Sequence, residues 1–358
     1  MKKILIILTV ILLVCEEVFA VSFSYLKSNN LYPINDKNGG GYIDKAGNIA
    51  IKQKFDFAFG FIDNYAIVKG KNFKYGIIDK NGNIIIDFKY EYLDNLNENF
   101  VIYKDNKKYG YIDILKNKKS EAIYDNIKKF KEGLAAVCID GKWGFINKKG
   151  EYITTPQYFD VSNYSEGLAA VSYSKHKTAG YIDKKGNMVI SFKDNNLEPK
   201  EFNEGLAPVI NNNEKSCSYI NKKGKIIIDN QKIYPNNIYC GNFQNELNVF
   251  YIDDNPKEIT TGFINKRGKI KYAMTFSVPE NISEDEFSVF ENFSSNMAQI
   301  TIDYRTGYIN NKFKMVIPPI YEFARDYNGD LAYVKFEGKE GYINKKGQWV
   351  WSKPREGM

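Results

Sequence analysis

The chain has 358 residues and a formal net charge of +7, and its residues are 43% hydrophobic, 15% aromatic and 26% charged. This composition excludes a disordered chain and a protein with many membrane spans, and it predicts a folded, tyrosine-rich soluble body. The length suits two ordinary domains or one extended array of repeats.

The N-terminus has the pattern of an export signal. Lys2 and Lys3 precede an apolar stretch over residues 4–14, and Val18-Phe19-Ala20 resembles a signal-peptidase site. The apolar stretch is too short for a membrane-spanning helix, which needs about 20 residues. We therefore predict a cleaved signal peptide over residues 1–20, a mature repeat domain over residues 21–358, and no membrane span after cleavage.

The predicted export determines where we expect the protein to be located. Cleavage would leave the mature chain secreted, in the periplasm or at the cell surface of a bacterium. A lipoprotein attached through Cys15 is the alternative, but Val14 stands where a lipobox normally has a small residue. Export also disfavours nucleic acid as a partner, despite the basic charge balance.

Nine copies of one signature follow along the chain: glycine (Ser218 in one copy), an aromatic residue (Ile77 in one copy), isoleucine, and aspartate or asparagine. The copies begin at residues 41, 76, 110, 144, 180, 218, 262, 307 and 341, with isoleucine at the third position each time. Repeats at such spacing indicate solenoids, propellers or arrays. The residues that we assign to the repeat framework are Gly41, Ile43, Gly76, Ile78, Gly110, Ile112, Trp143, Gly144, Ile146, Gly180, Ile182, Ile220, Gly262, Ile264, Gly307, Ile309, Gly341 and Ile343.

A turn follows each signature, as in Asn147-Lys148-Lys149-Gly150. Aspartate or asparagine at the first place favours a type I turn, and a later glycine with positive φ closes a hairpin through a bulge. The return strand is apolar and β-branched, as in Ile226-Ile227-Ile228. Each repeat therefore contains a β-hairpin.

A second recurrent run precedes the hairpin, as in Glu132-Gly133-Leu134-Ala135-Ala136-Val137. This run supplies a third strand, and aromatic connectors pack one unit on the next. We predict an all-β fold in which tandem three-stranded meanders form an open, twisted β-superhelix, similar to a solenoid. A β-propeller is the alternative.

The segments Gly133-Leu134-Ala135-Ala136-Val137, Lys142-Trp143-Gly144-Phe145-Ile146-Asn147 and Lys148-Lys149-Gly150 resemble the WG-repeat family of bacterial proteins, also called KWG repeats. The resemblance spans residues 31–352, although the Trp-Gly pair is intact only at Trp143-Gly144. It implies β-hairpin repeats in secreted or surface-associated proteins, mostly without an assigned biochemical activity.

The sequence offers little for catalysis. His176 is the one histidine, and no nucleophile or oxyanion pattern accompanies it. Scattered cysteines match no zinc spacing, so we predict no metal, no cofactor and no enzyme, with a glycan-acting hydrolase as the residual possibility. Cys217 and Cys240 could form a disulfide in an oxidising compartment, whereas we interpret Cys138 as a small buried hydrophobic residue.

Two surfaces are candidates for binding. Turn lysines would form a basic line for anionic polymers or a merely solvated edge: Lys148, Lys149, Lys184, Lys185, Lys222, Lys223, Lys345 and Lys346. Signature tyrosines alternate with the buried isoleucines, so they would stack on sugars or pack between repeats: Tyr42, Tyr111, Tyr181, Tyr219, Tyr308 and Tyr342. We expect a non-catalytic scaffold that binds another protein, with binding of envelope glycan or anionic polymer as the alternative.

Overall fold

The computed structural model describes residues 31–174, 177–192, 196–213, 216–229, 241–255, 258–277 and 289–355. Within these residues the regular elements are 33 β-strands, which form nine small antiparallel sheets. The predicted all-β repeat fold is therefore confirmed. In the described part of the chain, no helix is long and apolar enough to cross a membrane. The predicted signal peptide, Cys15, His176 and Cys240 lie outside the described residues.

The described chain separates into two compact units, and unit 1 holds the described residues up to Asp44 together with Ile49–Ile123. Its strands form three sheets. Sheet 1 contains β1 (Tyr32–Asp36), β2 (Gly39–Ile43) and β3 (Ile49–Phe55); sheet 2 contains β4 (Phe57–Ile62), β5 (Tyr65–Lys69), β6 (Tyr75–Asp79) and β7 (Ile84–Tyr90); sheet 3 contains β8 (Leu93–Asn97), β9 (Phe100–Asp105), β10 (Lys108–Asp113) and β11 (Lys118–Lys119).

Unit 2 holds Lys45–Asn48 and the described residues from Tyr124 onwards. The first three of its six sheets each have four strands: sheet 4 contains β12 (Asn126–Ile127), β13 (Leu134–Ile139), β14 (Lys142–Asn147) and β15 (Tyr152–Tyr158); sheet 5 contains β16 (Asp160–Val161), β17 (Leu168–Ser174), β18 (Lys177–Asp183) and β19 (Met188–Ser191); sheet 6 contains β20 (Leu197–Pro199), β21 (Leu206–Asn211), β22 (Ser216–Asn221) and β23 (Ile226–Asp229).

The other three sheets of unit 2 follow in the same order: sheet 7 contains β24 (Leu247–Asn255), β25 (Glu258–Asn265) and β26 (Ile270–Ser277); sheet 8 contains β27 (Met297–Ile302), β28 (Arg305–Asn310) and β29 (Met315–Tyr321); sheet 9 contains β30 (Phe323–Ala324), β31 (Leu331–Phe336), β32 (Lys339–Asn344) and β33 (Trp349–Pro354).

Six of the nine described sheets have a fourth strand beyond the predicted three. In sheets 4, 5 and 9 the added strand is a two-residue segment of a connector, such as Asn126–Ile127, which pairs with the middle of the next strand. Four antiparallel strands in sequence order are the blade unit of β-propellers. These sheets therefore match the propeller alternative more closely than the three-stranded unit.

The hairpin turn has the predicted chemistry. In sheet 2, the N–H groups of Asn81 and Asn83 donate to Oδ1 of Asp79, both at 2.9 Å, and Gly82 has φ +79°. In sheet 4, Asn147 accepts the corresponding bonds through its own Oδ1. Aspartate and asparagine share this acceptor atom, which explains why they replace each other in the signature.

The core lies between successive sheets and follows one rule. The second signature residue of a sheet packs with the isoleucine of the next sheet, because each strand directs alternate side chains to opposite faces. In unit 1 these pairs are Tyr42 with Ile78 and Ile77 with Ile112; in unit 2 they are Phe145 with Ile182, Tyr181 with Ile220, Tyr219 with Ile264, Phe263 with Ile309, and Tyr308 with Ile343. Both faces of a sheet are thereby covered.

The turn glycines lie against the last strand of a neighbouring sheet. A Cβ atom at Gly186 would lie 2.7 Å from Cγ2 of Thr154 in β15, and one at Gly224 would lie 3.2 Å from Cγ2 of Ile190 in β19. Neighbouring sheets are therefore joined at their turns as well as through their cores.

We expect Gly186→Ala to destabilise the protein by about 1–3 kcal/mol more than Gly205→Ala. The two glycines have φ +85° and +86°, so both variants carry the same backbone cost, but a Cβ at Gly205 would meet nothing within 4 Å. Thermal and urea unfolding of the two variants would measure the difference. Equal destabilisation would show that the contact with Thr154 contributes nothing.

Candidate functional site

The six signature tyrosines lie in the core. Their exposed fractions run from 0% to 8%, for Tyr42, Tyr111, Tyr181, Tyr219, Tyr308 and Tyr342. In Tyr181 the hydroxyl donates to the carbonyl of Lys200 at 2.9 Å, and in Tyr308 it donates to the carbonyl of Arg325 at 2.7 Å. Burial raises the pKa of both phenols. These rings therefore have the packing role that the sequence left open, and they offer no face to a sugar.

The hydroxyls of Tyr42, Tyr181 and Tyr308 tie their sheets to the first strand of the next sheet. The acceptors are the carbonyls of Phe59 in β4, of Lys200 directly after β20 and of Arg325 directly after β30. A buried carbonyl without a donor would be costly, so each bond satisfies one of these acceptors. The aromatic residue is thus a structural tie between repeats.

Two of the turn lysines pair with a glutamate of the preceding sheet: Lys184 Nζ lies 3.0 Å from Glu132 Oε2, and Lys222 Nζ lies 3.0 Å from Glu166 Oε2. Both remain exposed, as do Lys148, Lys149, Lys185, Lys223 and Lys346, while Lys345 is half-buried. Two cations of the predicted basic line are therefore paired with carboxylates.

These glutamates link the turns of neighbouring sheets, a role that the sequence analysis did not predict. Glu132 and Gly133 have φ +56° and +87°, which places a non-glycine residue in a tight turn before β13. The carboxylate of Glu132 accepts the N–H groups of Glu166 and Gly167, at 2.5 and 2.9 Å, in the equivalent turn of the next sheet. A side chain at a backbone-strained position is thus held by its neighbour.

The same link repeats along unit 2. Glu166 accepts the N–H of Gly205 at 3.0 Å, and Glu204 accepts those of Asn245 and Glu246 at 2.7 and 2.8 Å. The sequence contains this link as a recurrent Glu-Gly-Leu-Ala segment, which we interpret from the sequence only as the start of a strand. A strand does not require a glutamate at its start, so the recurrence of the glutamate indicates a second role.

The electrostatics of Glu132 favour its ionised form. Burial opposes ionisation, but the ammonium of Lys184 and the N–H groups of Gly167 and Glu166 outweigh it and lower the pKa of the carboxyl below 4.5. A carboxyl with a lowered pKa stabilises the fold above its ordinary pKa. That contribution is lost as the pH falls through the lowered value.

We expect Glu132→Gln to destabilise the protein by about 1 kcal/mol at pH 7, because the pair with Lys184 is lost and the bonds to backbone N–H groups weaken. The difference from the wild type should shrink as the pH falls below 4.5. Urea unfolding at pH 7 and pH 3.5 would measure both effects. Glu337→Gln is the matched control, since Glu337 also precedes a glycine at positive φ, but its side chain is exposed. A control with the same pH dependence would contradict the assignment.

The cysteines differ in environment. Cys217 is held in a disulfide, while Cys240, the partner that the sequence suggests, lies outside the described residues. Cys138 is buried in β13, as predicted. Among the described residues, no group of three or more histidine, cysteine, aspartate or glutamate side chains is placed to hold a metal ion.

A recurrent apolar residue is exposed at the start of the last strand of most sheets. It stands eight positions after the first signature residue, and its exposed fraction is 36–53% in eight sheets: Ile49, Ile84, Tyr152, Met188, Ile226, Ile270, Met315 and Trp349. Sheet 3 has Lys118 at this place. The six such residues of unit 2 are called the apolar edge below.

The apolar edge runs along strands that end their sheets. Gly186 and Gly224, two positions before Met188 and Ile226, lie against the last strands of sheets 4 and 5. Exposed apolar residues of neighbouring sheets therefore follow one another along the same side. Sequence reasoning missed this surface because a run such as Ile226-Ile227-Ile228 reads as a buried strand, whereas only Ile228 is buried.

Comparison with known proteins gives one family. The model of the WG containing repeat matches residues 41–72, 75–109, 109–143, 143–174, 180–214 and 307–339. A search of curated proteins gives no match.

The solved structures to which this chain is similar share 10–13% of its sequence. A eukaryotic initiation factor has a TM-score of 0.58 at 10% identity, over 91% of this chain and 95% of that chain. Virginiamycin B lyase from Staphylococcus aureus has a TM-score of 0.38 at 13% identity, over 68% and 90%. Hsv2p from Kluyveromyces lactis has a TM-score of 0.40 at 10% identity, over 69% and 89%. The first of these likenesses concerns the fold alone, and the other two are too weak to carry an argument.

Proposed function

The chain belongs to the WG-repeat family, and we propose that it is an exported, non-catalytic repeat scaffold that binds another protein through the apolar edge. The observation that carries this proposal is the exposed apolar residue at one equivalent position in six successive sheets of unit 2. Isolated exposed apolar residues are ordinary, but a periodic row of them is typical of a contact surface.

The residues of the apolar edge lie on strands that favour binding to a protein. The last strand of each sheet directs one row of backbone groups away from its neighbour in the sheet. Such an edge accepts an extended segment of another chain through main-chain hydrogen bonds, while alternate side chains give the contact its specificity. The apolar edge combines these backbone groups with apolar contact area.

Charge indicates the character of the partner. Lys185, Lys223 and Arg267 are exposed in the turns that lead into Met188, Ile226 and Ile270. A partner surface with apolar residues bordered by carboxylates would complement this arrangement, and opposite charges at a rim accelerate association. We therefore propose an acidic, partly apolar protein surface as the ligand of the apolar edge.

We expect the triple variant Met188→Thr, Ile226→Thr, Ile270→Thr to lose the partner that the full chain captures from the parent cell. Threonine keeps the β-propensity of the exposed strands, so the fold should be retained while the apolar contact is lost. Capture followed by mass spectrometry, with binding of the identified partner measured on the purified proteins, would test this. We expect weakening of about tenfold or more.

The matched control removes the same number of exposed apolar residues elsewhere, at positions without a positive φ: Leu115→Thr, Ile123→Thr, Phe159→Thr. The control variant should bind as the wild type does. Equal loss in both variants would mean that general surface hydrophobicity captures the protein, and retention in both would place the contact away from the apolar edge. Either outcome would overturn the proposal.

A further inference from the structure

Unit 1 contains a cleft of about 820 Å³ that the apolar edge does not involve. It lies between the end of β7 in sheet 2 and the hairpin that joins β9 to β10 in sheet 3. Its volume falls within the range of about 300–1,000 Å³ that is usual for small-ligand sites. We call it the lysine cleft.

The lysine cleft has a marked excess of positive charge. Five of its lining residues are lysines, and two are acidic. Glu91 Oε1 lies 2.5 Å from Lys74 Nζ, and Asp105 Oδ2 lies 3.8 Å from Lys119 Nζ. The other three lysines are Lys89, Lys104 and Lys107. Three cations beyond the number of carboxylates, gathered around one concavity, favour an anionic ligand.

Tyrosine rings line the same cleft. Tyr90 and Tyr92 are partly exposed, and Tyr103 is buried behind them. The ammonium of Lys119 lies 4.4 Å from the ring centroid of Tyr103, and that of Lys89 lies 5.7 Å from the centroid of Tyr90. A tyrosine presents an apolar ring together with a hydroxyl, and this combination suits a ligand with both C–H faces and polar groups.

One lysine occupies a place where the fold favours glycine. Asn106 and Lys107 have φ +46° and +68° in the turn between β9 and β10. In the equivalent turns the second place is held by Gly141 in sheet 4 and Gly338 in sheet 9, and by Tyr304, with φ +59°, in sheet 8. A lysine with positive φ is conformationally unfavourable where a glycine would not be. Lys107 therefore lines the cleft at a cost in stability.

We propose that the lysine cleft binds an anionic saccharide, whose acidic groups pair with the lysines and whose ring faces contact Tyr90 and Tyr92. The tyrosines favour a saccharide over an acidic polypeptide, because stacking on an aromatic ring requires a flat apolar face beside the charge. This site is separate from the protein-binding apolar edge, so either proposal can fail without the other.

Titration of the full chain with an oligogalacturonate, a carboxylated oligosaccharide, would test the proposal by calorimetry. We expect Lys107→Gly to weaken binding by about tenfold. The same variant should melt at an equal or higher temperature than the wild type, because glycine relieves the strained turn. Loss of binding without loss of stability would separate recognition from folding.

Two further variants sharpen the assignment. Lys89→Gln, inside the cleft, should also weaken binding, while Lys52→Gln removes the same charge from an exposed position of β3 and should change the affinity by less than about twofold. Added salt should weaken the wild-type complex. Equal effects of Lys52→Gln and Lys89→Gln would reveal attraction to net charge alone and would overturn the proposal.

Titration with two other ligands would determine which chemical class of ligand the lysine cleft prefers. A neutral maltooligosaccharide should bind far more weakly than the oligogalacturonate, because it leaves the lysines without partners. Polyglutamate of matched charge should also bind more weakly, since it has no sugar ring for the tyrosines. Polyglutamate that binds as tightly as the oligogalacturonate would overturn the saccharide assignment in favour of an acidic polypeptide, and no binding of the oligogalacturonate would end it.

Discussion

The contact between the second signature residue of one sheet and the isoleucine of the next is the interaction on which the rest of the structure depends. A three- or four-stranded sheet of this size cannot bury both of its faces by itself. Tyr181 and Ile220 meet in one cluster, while Ile182 of the same strand as Tyr181 packs towards sheet 4. Sheet 5 therefore completes two cores, and its stability depends on both neighbours, as in other repeat proteins.

This arrangement limits where recognition can occur. The faces of the sheets are occupied by the inter-sheet cores, and the signature tyrosines are used there together with their hydroxyls. The turns before the second strands in sheets 4 to 6 are occupied by the glutamate links, which also engage Lys184 and Lys222. Among the described residues, the last strands with their exposed apolar residues and the clefts between strand ends are surfaces that the inter-sheet cores leave open to a ligand.

The sequence predicted the parts of the fold that depend on local chemistry. The turn after the signature follows from Asp79 and Gly82, and the buried isoleucine follows from strand alternation. Strands such as Asn126–Ile127 could not be predicted, because two residues carry no periodicity. The role of Glu132 depends on contacts about 34 residues away, and the exposure of Ile226 depends on where its sheet ends. Such features are set by the packing of repeats and not by their local sequence.

Repetition itself gives a criterion for separating folding from function. Buried residues that recur at one position satisfy a packing need that the sheets share, as the signature isoleucine does. The residues of the apolar edge recur although they are exposed, so packing within the fold does not account for them. A departure that costs stability needs another reason, because selection for folding alone would remove it. Lys107 and Tyr304 are such departures, since the equivalent turns of sheets 4 and 9 use glycine with a similar positive φ. Of these two, Lys107 adds its charge to the other lysines of the lysine cleft.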